Sequence, residues 1–380
     1  MVVEEKERGA QTEMTSRRSQ SMDASGIRKV FDLAGEIKDP VNLSIGAPDF
    51  DVPPPVRKRL IEAVEAGHNR YTPTQGLEEL RRSVQTKYRE RTGVDFEDIM
   101  ITAGVSGGLM LAFAALLDPG DEVVFADPYF VGYPQIARLF NAVPVPVDTY
   151  PDFEFTPERL EPAMGPKTRI ILLNSPANPT GNVLTEASLK GIAEIARKHN
   201  AVIISDEIYD AYIYEGSPLT AARYYENTVV LNGFSKSHSM TGWRIGYALG
   251  PENIITEMKK IQQFTFVHAP SIAQHAALCA LDTGTEAFHR RYRENRNMVC
   301  RGLADKFSFV QPQGSFYIFP QAPGNSGMAF VKQAIEEDLL IIPGNVFSLR
   351  DTHFRIACAA DRQTLTRGIE ILNRLADKTL

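Results

Sequence analysis

A chain of 380 residues with 43% hydrophobic content is long enough for two domains and a large buried core. Its 41 basic against 47 acidic residues, net charge −6, argue against a nucleic-acid or anionic-membrane surface, and no basic cluster interleaved with aromatics occurs. Three widely spaced cysteines (Cys279, Cys300, Cys358) read as reduced core residues of a cytoplasmic protein, and the seven histidines show no metal-ligand spacing.

From Met1 to about Asp23 the chain is charged and polar, with no apolar core of a signal peptide, and is expected to be a flexible arm over residues 1–24. No apolar stretch of membrane-spanning length follows anywhere. Ile101-Thr102-Ala103-Gly104-Val105-Ser106-Gly107-Gly108, followed by Leu109 to Leu117, predicts a strand, a small-residue turn and an apolar helix. Backbone N–H groups at such a helix start suit a phosphate, with Val105 offering its N–H and Ser106 a hydroxyl between Gly104 and Gly107. The spacing is neither a dinucleotide fingerprint nor a P-loop.

Ile170-Ile171-Leu172-Leu173 predicts a buried strand, ending in the turn Asn178-Pro179-Thr180-Gly181. Glu186 to His199 reads as an amphipathic helix. Ala201-Val202-Ile203-Ile204 is a second strand buried on both faces; the half-buried acids at its end, Asp206 and Glu207, call for a cationic partner. Val229-Val230-Leu231 is a third, and it leads into Phe234-Ser235-Lys236-Ser237 and on to Arg244. A free lysine has a pKa of about 10.4, so a nucleophilic lysine must be dehydrated or placed near another cation. Arg244 could be that cation and could also hold a phosphate. Asn178, Asp206 and Lys236 stand 28 and 30 residues apart, a strand and its crossover each time. Ligands bind beyond the carboxyl ends of strands in open α/β sheets, so three polar groups at three such ends make a site. After about residue 285 come an expected helix Phe288–Phe307, a strand Gly314–Pro320, an exposed turn Gly324–Gly327 and a helix Met328–Asp338. A strand Leu340–Ile342 and a closing helix Leu365–Ala376 follow.

Six segments in order resemble the class I/II aminotransferases, the aspartate aminotransferase family that uses pyridoxal 5′-phosphate. They are Leu43 to Phe50, Tyr71 to Gly76 with Leu80-Arg81, the Asn178 turn, Ser205 to Tyr209, Phe234 to Gly246, and Phe354 to Ala357. The resemblance implies an α/β fold of the fold type I class. Its large domain, residues 51–284, would carry a mostly parallel seven-stranded sheet flanked by helices; residues 25–50 and 285–380 would form a smaller α+β domain. It implies that Lys236 holds the coenzyme as a Schiff base and then serves as the base that moves the Cα proton. Asp206 would pair with the pyridine nitrogen, while Tyr209 and Asn178 hydrogen-bond the coenzyme's phenolic oxygen. Asp206 is preferred to Glu207 because successive strand residues face opposite ways.

Arg355, with Asn178, would receive the substrate α-carboxylate through a planar fork, and Gly46 would line the substrate side. Gly104, Val105, Ser106 and Arg244 would bind phosphate, Phe130 would stack on the ring, and Tyr71 would reach the phosphate of the neighbouring subunit in a homodimer with shared active sites. Two departures stand out. Gly233 replaces a phosphate-binding serine found in many relatives, leaving Ser235 as a possible substitute. Ser106 occupies the place of a lysine that reads a second substrate carboxylate in one branch; Arg28 is an alternative for that task. Residues near Ile27, Gly46, Phe130, Tyr71 and Phe354 suggest a pocket tolerant of apolar or aromatic side chains. The implied activity is transfer of an α-amino group from an L-amino acid (aspartate, alanine, aromatic and other neutral donors all remaining open) to a 2-oxo acid such as 2-oxoglutarate. A lyase, decarboxylase or cyclising synthase shares the scaffold, since fold and coenzyme alone do not fix the reaction. A coenzyme-binding regulator would call for a fused DNA-binding module, for which the first 24 or so residues are too short.

Overall fold

The computed structural model describes residues 14–23, 26 and 38–379. A short helix, Arg17–Gln20, is capped by the Ser16 hydroxyl, and the Asp23 N–H donates to Gln135 Oε1 at 2.9 Å. The rest of the expected arm, together with Ile27 and Arg28, lies outside the described residues.

Strand β1 (Val41–Asn42) precedes seven strands that form one sheet. These are β2 (Asp98–Thr102), β3 (Glu122–Asp127), β4 (Val143–Asp148), β5 (Thr168–Asn174), β6 (Val202–Asp206), β7 (Thr228–Gly233) and β8 (Gly246–Gly250). Their order is β2-β8-β7-β6-β5-β3-β4, with β8 alone antiparallel to its neighbours, so the expected mostly parallel sheet is present.

The central strands read as unbroken apolar runs because helices cover both faces. On one face Ile170, Leu172, Ile204, Val229 and Leu231 pack with the helices Gly104–Leu116 and Glu252–Phe264. On the other, Ile171, Leu173 and Ile203 meet the helix Glu186–His199, and Val230 meets Glu78–Thr92 and Ser271–Leu281. The helix Glu186–His199 has the bounds its sequence predicts. The Thr185 hydroxyl accepts the Ser188 N–H at 3.1 Å to start it, and left-handed Asn200 (φ 52°) ends it.

The C-terminal part departs more from expectation. The expected strand Gly314–Pro320 contracts to β9 (Tyr317–Ile318), and Leu340–Ile342 splits into β10 (Leu339–Leu340) and β11 (Ile342–Pro343). The split arises because β10 pairs with β1 while β11 pairs with β12 (Phe354–Ala357), so the chain changes sheet at Ile341. Strand β12 joins β9 on its other side. Ser326, expected in an exposed turn, accepts the Ala329 N–H at 3.3 Å and so caps the helix Gly327–Glu336. Helices Glu286–Leu303 and Arg362–Thr379 complete this part. Val41 and Leu43 share its core with Leu303, Phe330, Ile356 and Leu372.

The carboxyl ends of β2, β5, β6 and β7 and the amino end of antiparallel β8 lie at one edge of the large sheet. Close backbone passage holds that edge together. A Cβ on Gly246 would lie 2.8 Å from the Gly104 carbonyl carbon and 2.9 Å from the Asn232 oxygen.

Candidate active site

A cavity of about 260 Å³ opens at this edge. Eleven of the residues singled out in the sequence line it: Gly46, Val105, Ser106, Phe130, Asn178, Asp206, Tyr209, Ser235, Lys236, Arg244 and Arg355. Leu109, Tyr133, Asn174, Ile208, Thr241 and Tyr317 complete the wall.

Lys236 lies three residues beyond β7, and its Nζ donates to the Gly46 carbonyl at 2.7 Å. Burial, then the guanidinium charges of Arg355 and Arg244, push its pKa down to about 8, against the pull of Asp206. The amine is therefore closer to neutrality than any surface lysine.

Asp206 closes β6, opposite Asn174 of β5. It is fully buried rather than half buried, and the Tyr133 hydroxyl donates to its Oδ2 at 2.8 Å. Burial raises its pKa to about 6, opposed by that hydrogen bond and by the Ile208 N–H. The carboxylate thus remains mostly ionised at neutral pH. Glu207 faces away, accepting from Tyr88 at 2.8 Å and from Ser205 at 3.0 Å, and burial raises its pKa to about 7. The strand alternation separates the two acids as expected.

Arg355 is 1% exposed and has no carboxylate partner among the described residues. Its Nη1 donates to Asn178 Oδ1 at 3.0 Å and its Nη2 to the Ser44 carbonyl at 2.7 Å, while its buried Nε has no partner. The rings of Tyr317 and Phe347 lie against the guanidinium at 4.5 Å each. Burying a charge without a counter-ion is costly, so this fork is built to receive an anion. The Tyr209 and Tyr317 hydroxyls share a hydrogen bond of 2.9 Å, and burial lifts both phenols above their ordinary range.

A second anion-binding corner lies where the helix Gly104–Leu116 begins. Gly104 adopts φ +70°, and a Cβ there would come within 2.7 Å of Arg244 Nη2, so the guanidinium rests against bare backbone. Ser106, Ser235 and Thr241 face the same space as Arg244. At Gly233 a Cβ would sit 2.8 Å from the Gly246 Cα and 2.9 Å from the Ile245 oxygen, which explains why serine is absent there.

Tyr71 is 84% exposed, edge-on to His268 at 5.5 Å, and lines no part of the chain's own cavity, the role expected of it lying with a neighbouring subunit. One expectation fails within this chain. Phe354 is fully buried against Phe307 and Phe330 and lines no pocket wall, because its side of β12 faces the C-terminal core. The sequence alone singles out neither Tyr133 nor Tyr317. Tyr133 follows Phe130 by three residues, the one signal for it; Tyr317 carries none beyond its place in an expected strand.

Among the described residues no His, Cys, Asp or Glu cluster is arranged to hold a metal ion, and no helix is long and apolar enough to cross a membrane. The donor set instead fits a phosphorylated pyridine aldehyde. It offers a dehydrated amine, a buried carboxylate, a phenol and a cationic corner at a helix start.

Residues 38–372 match the family model described as aminotransferase class I and II. An aspartate aminotransferase of Thermotoga maritima is 37% identical over 380 residues, covering 96% of this chain and 99% of the relative. An aromatic-amino-acid aminotransferase of Thermococcus litoralis is 34% identical over 379 residues, covering 95% and 97%. The solved structure of a Thermus thermophilus aspartate aminotransferase mutant superposes with a TM-score of 0.92 at 34% identity, covering 95% of this chain and 99% of that one.

Proposed function

This chain belongs to the class I and II aminotransferases, and on that premise we propose that it binds pyridoxal 5′-phosphate at Lys236. It transfers the α-amino group of an L-amino acid to a 2-oxo acid such as 2-oxoglutarate in two ping-pong half-reactions. The observation that carries this reading is that Lys236, Asp206 and the buried Arg355 guanidinium, which has no carboxylate partner among the described residues, all line one cavity.

Bound there, the coenzyme supplies an aldehyde carbon that holds amines covalently and a ring that accepts the electron pair left at Cα. Lys236 Nζ would tether the coenzyme at rest and, when free, would take the Cα proton. Its depressed pKa suits that task. Asp206, held by Tyr133, keeps the ring nitrogen protonated. Tyr209 and Asn178 donate to the ring oxygen. Arg355 exchanges the Ser44 carbonyl for the substrate carboxylate and thereby fixes which Cα bond faces the base. The start of the helix Gly104–Leu116, with Val105, Ser106, Ser235 and Arg244, holds the phosphate.

The cations on the cavity wall are Lys236, Arg244 and Arg355, among the described residues. Once phosphate and α-carboxylate are served, none of these three is left for a second carboxylate, and Ser106 supplies no charge; Arg28, the alternative named from the sequence, lies outside the described residues. The pocket therefore favours neutral donors, apolar or aromatic, over aspartate. Residues 51–284 act as the coenzyme domain and residues 25–50 with 285–380 as the smaller one, a division supported by the shared core of Val41 and Leu43 with the C-terminal part. The enzyme works as a cytoplasmic homodimer, with Tyr71 completing the partner's phosphate site and Phe264, Phe266 and Val267 supplying exposed apolar surface nearby.

Incubating coenzyme-loaded protein with a single amino acid tests the reaction type. A transaminase releases one equivalent of oxo acid and stops; repeated turnover would establish a lyase instead. A donor panel in which aspartate outpaces phenylalanine and methionine by orders of magnitude would refute the specificity.

A further inference from the structure

We propose that Tyr317 is a positioning residue with two separable tasks: its ring fixes the plane of the Arg355 guanidinium, and its hydroxyl orients the Tyr209 phenol toward the coenzyme's ring oxygen. The inference rests on the pyridoxal phosphate reading above.

Tyr317 occupies β9, opposite Ala357 of β12, and is 1% exposed. Its ring lies 4.5 Å from the Arg355 guanidinium carbon, and the Phe347 ring lies at the same distance. A guanidinium packed against two rings keeps its fork in one orientation, so a carboxylate meets a preset pair of donors. The hydroxyl reaches Tyr209 because position 46 has no side chain: a Cβ on Gly46 would lie 2.5 Å from the Tyr317 oxygen. The same glycine offers its carbonyl to Lys236.

The two phenols meet nearly edge to face, at 79° between ring planes, with oxygens 2.9 Å apart. One must donate. Arg355, itself only a donor, makes Tyr317 the more acidic of the pair and so assigns it that role. Tyr209 then accepts from Tyr317 and turns its own O–H into the cavity. A hydroxyl that accepts one hydrogen bond donates the next more strongly. The charged and titratable groups facing this pair are Asp206 from β6, Lys236 beyond β7, Arg355 from β12, and Tyr133.

The test uses coenzyme-loaded wild type, Tyr317→Phe and Tyr317→Leu, all without substrate in the first measurement. Absorption of the bound coenzyme is followed against pH; donor KM and kcat are then measured. Losing the Tyr317 hydroxyl weakens the Tyr209 donor and leaves the tethered Lys236 nitrogen more basic. Tyr317→Phe is thus expected to move the spectral transition up by roughly half a pH unit while donor KM holds. Tyr317→Leu gives the same spectral shift and raises donor KM roughly tenfold, because the guanidinium loses its ring. A Tyr317→Phe transition at the wild-type pH overturns the hydroxyl's task, and a Tyr317→Leu enzyme with wild-type KM overturns the ring's. Wild type that takes up no coenzyme overturns the functional reading itself, an outcome separate from either.

Discussion

At the level of single residues, Lys236 and Arg355, two of the cations lining the cavity, carry the sharpest expectations. Free Lys236 has its pKa pushed down to about 8, so the rate of coenzyme uptake by coenzyme-free protein should climb with pH and level off above about that value. An ordinary lysine would leave the rate climbing toward about pH 10. Replacing Arg355 by glutamine removes one of the charges that lower this pKa, and so moves the plateau to higher pH. The same variant should still bind coenzyme yet lose roughly a hundredfold in donor kcat/KM, the worth of two charge-assisted bonds only partly replaced. Stopped-flow absorbance and steady-state assays measure the two effects. Asp206 and Lys236 were legible because each comes soon after an apolar run, Val202 to Ile204 and Val229 to Leu231, whereas Arg355 was marked only by the family resemblance. Tyr317 was not. Its meaning comes from Tyr209, 108 residues away in the chain, and from the Arg355 plane it covers.

At the level of elements, the β7–β8 pair sets how closely the lysine segment and the phosphate corner approach. Gly233 stands opposite Gly246, and neither leaves room for a side chain. Gly233→Ser should therefore fail to add a useful phosphate ligand and should destabilise the coenzyme-free protein by about 1–3 kcal/mol, as overpacked sites do. Chemical denaturation measures it, and unchanged stability with tighter coenzyme binding would refute it. Elements with their own local signals were readable, as in the helix Glu186–His199 with its threonine start and asparagine stop. The C-terminal strands were not. Each pairing runs only two residues and depends on distant partners, so Leu339 to Pro343 could not reveal that it serves two sheets.

For the molecule as a whole, the exposed Tyr71 ring, packed on His268 just after exposed Phe264, Phe266 and Val267, makes sense as a surface covered by a second copy. Sedimentation should show a dimer. Mixing a Tyr71→Ala chain with a Lys236→Ala chain, then allowing exchange, should give activity above the mean of the parents, since one site in each hybrid regains both groups. Activity equal to that mean would show that each chain's site is self-sufficient. The order in which the cavity's parts occur along the chain has a further consequence. During synthesis, Lys236, the proposed tether, leaves the ribosome well before Arg355. A nascent polypeptide caught in between would lack both the fork for a substrate acid and one of the charges that depress the amine's pKa, so the cavity's chemistry waits on the last strand to emerge.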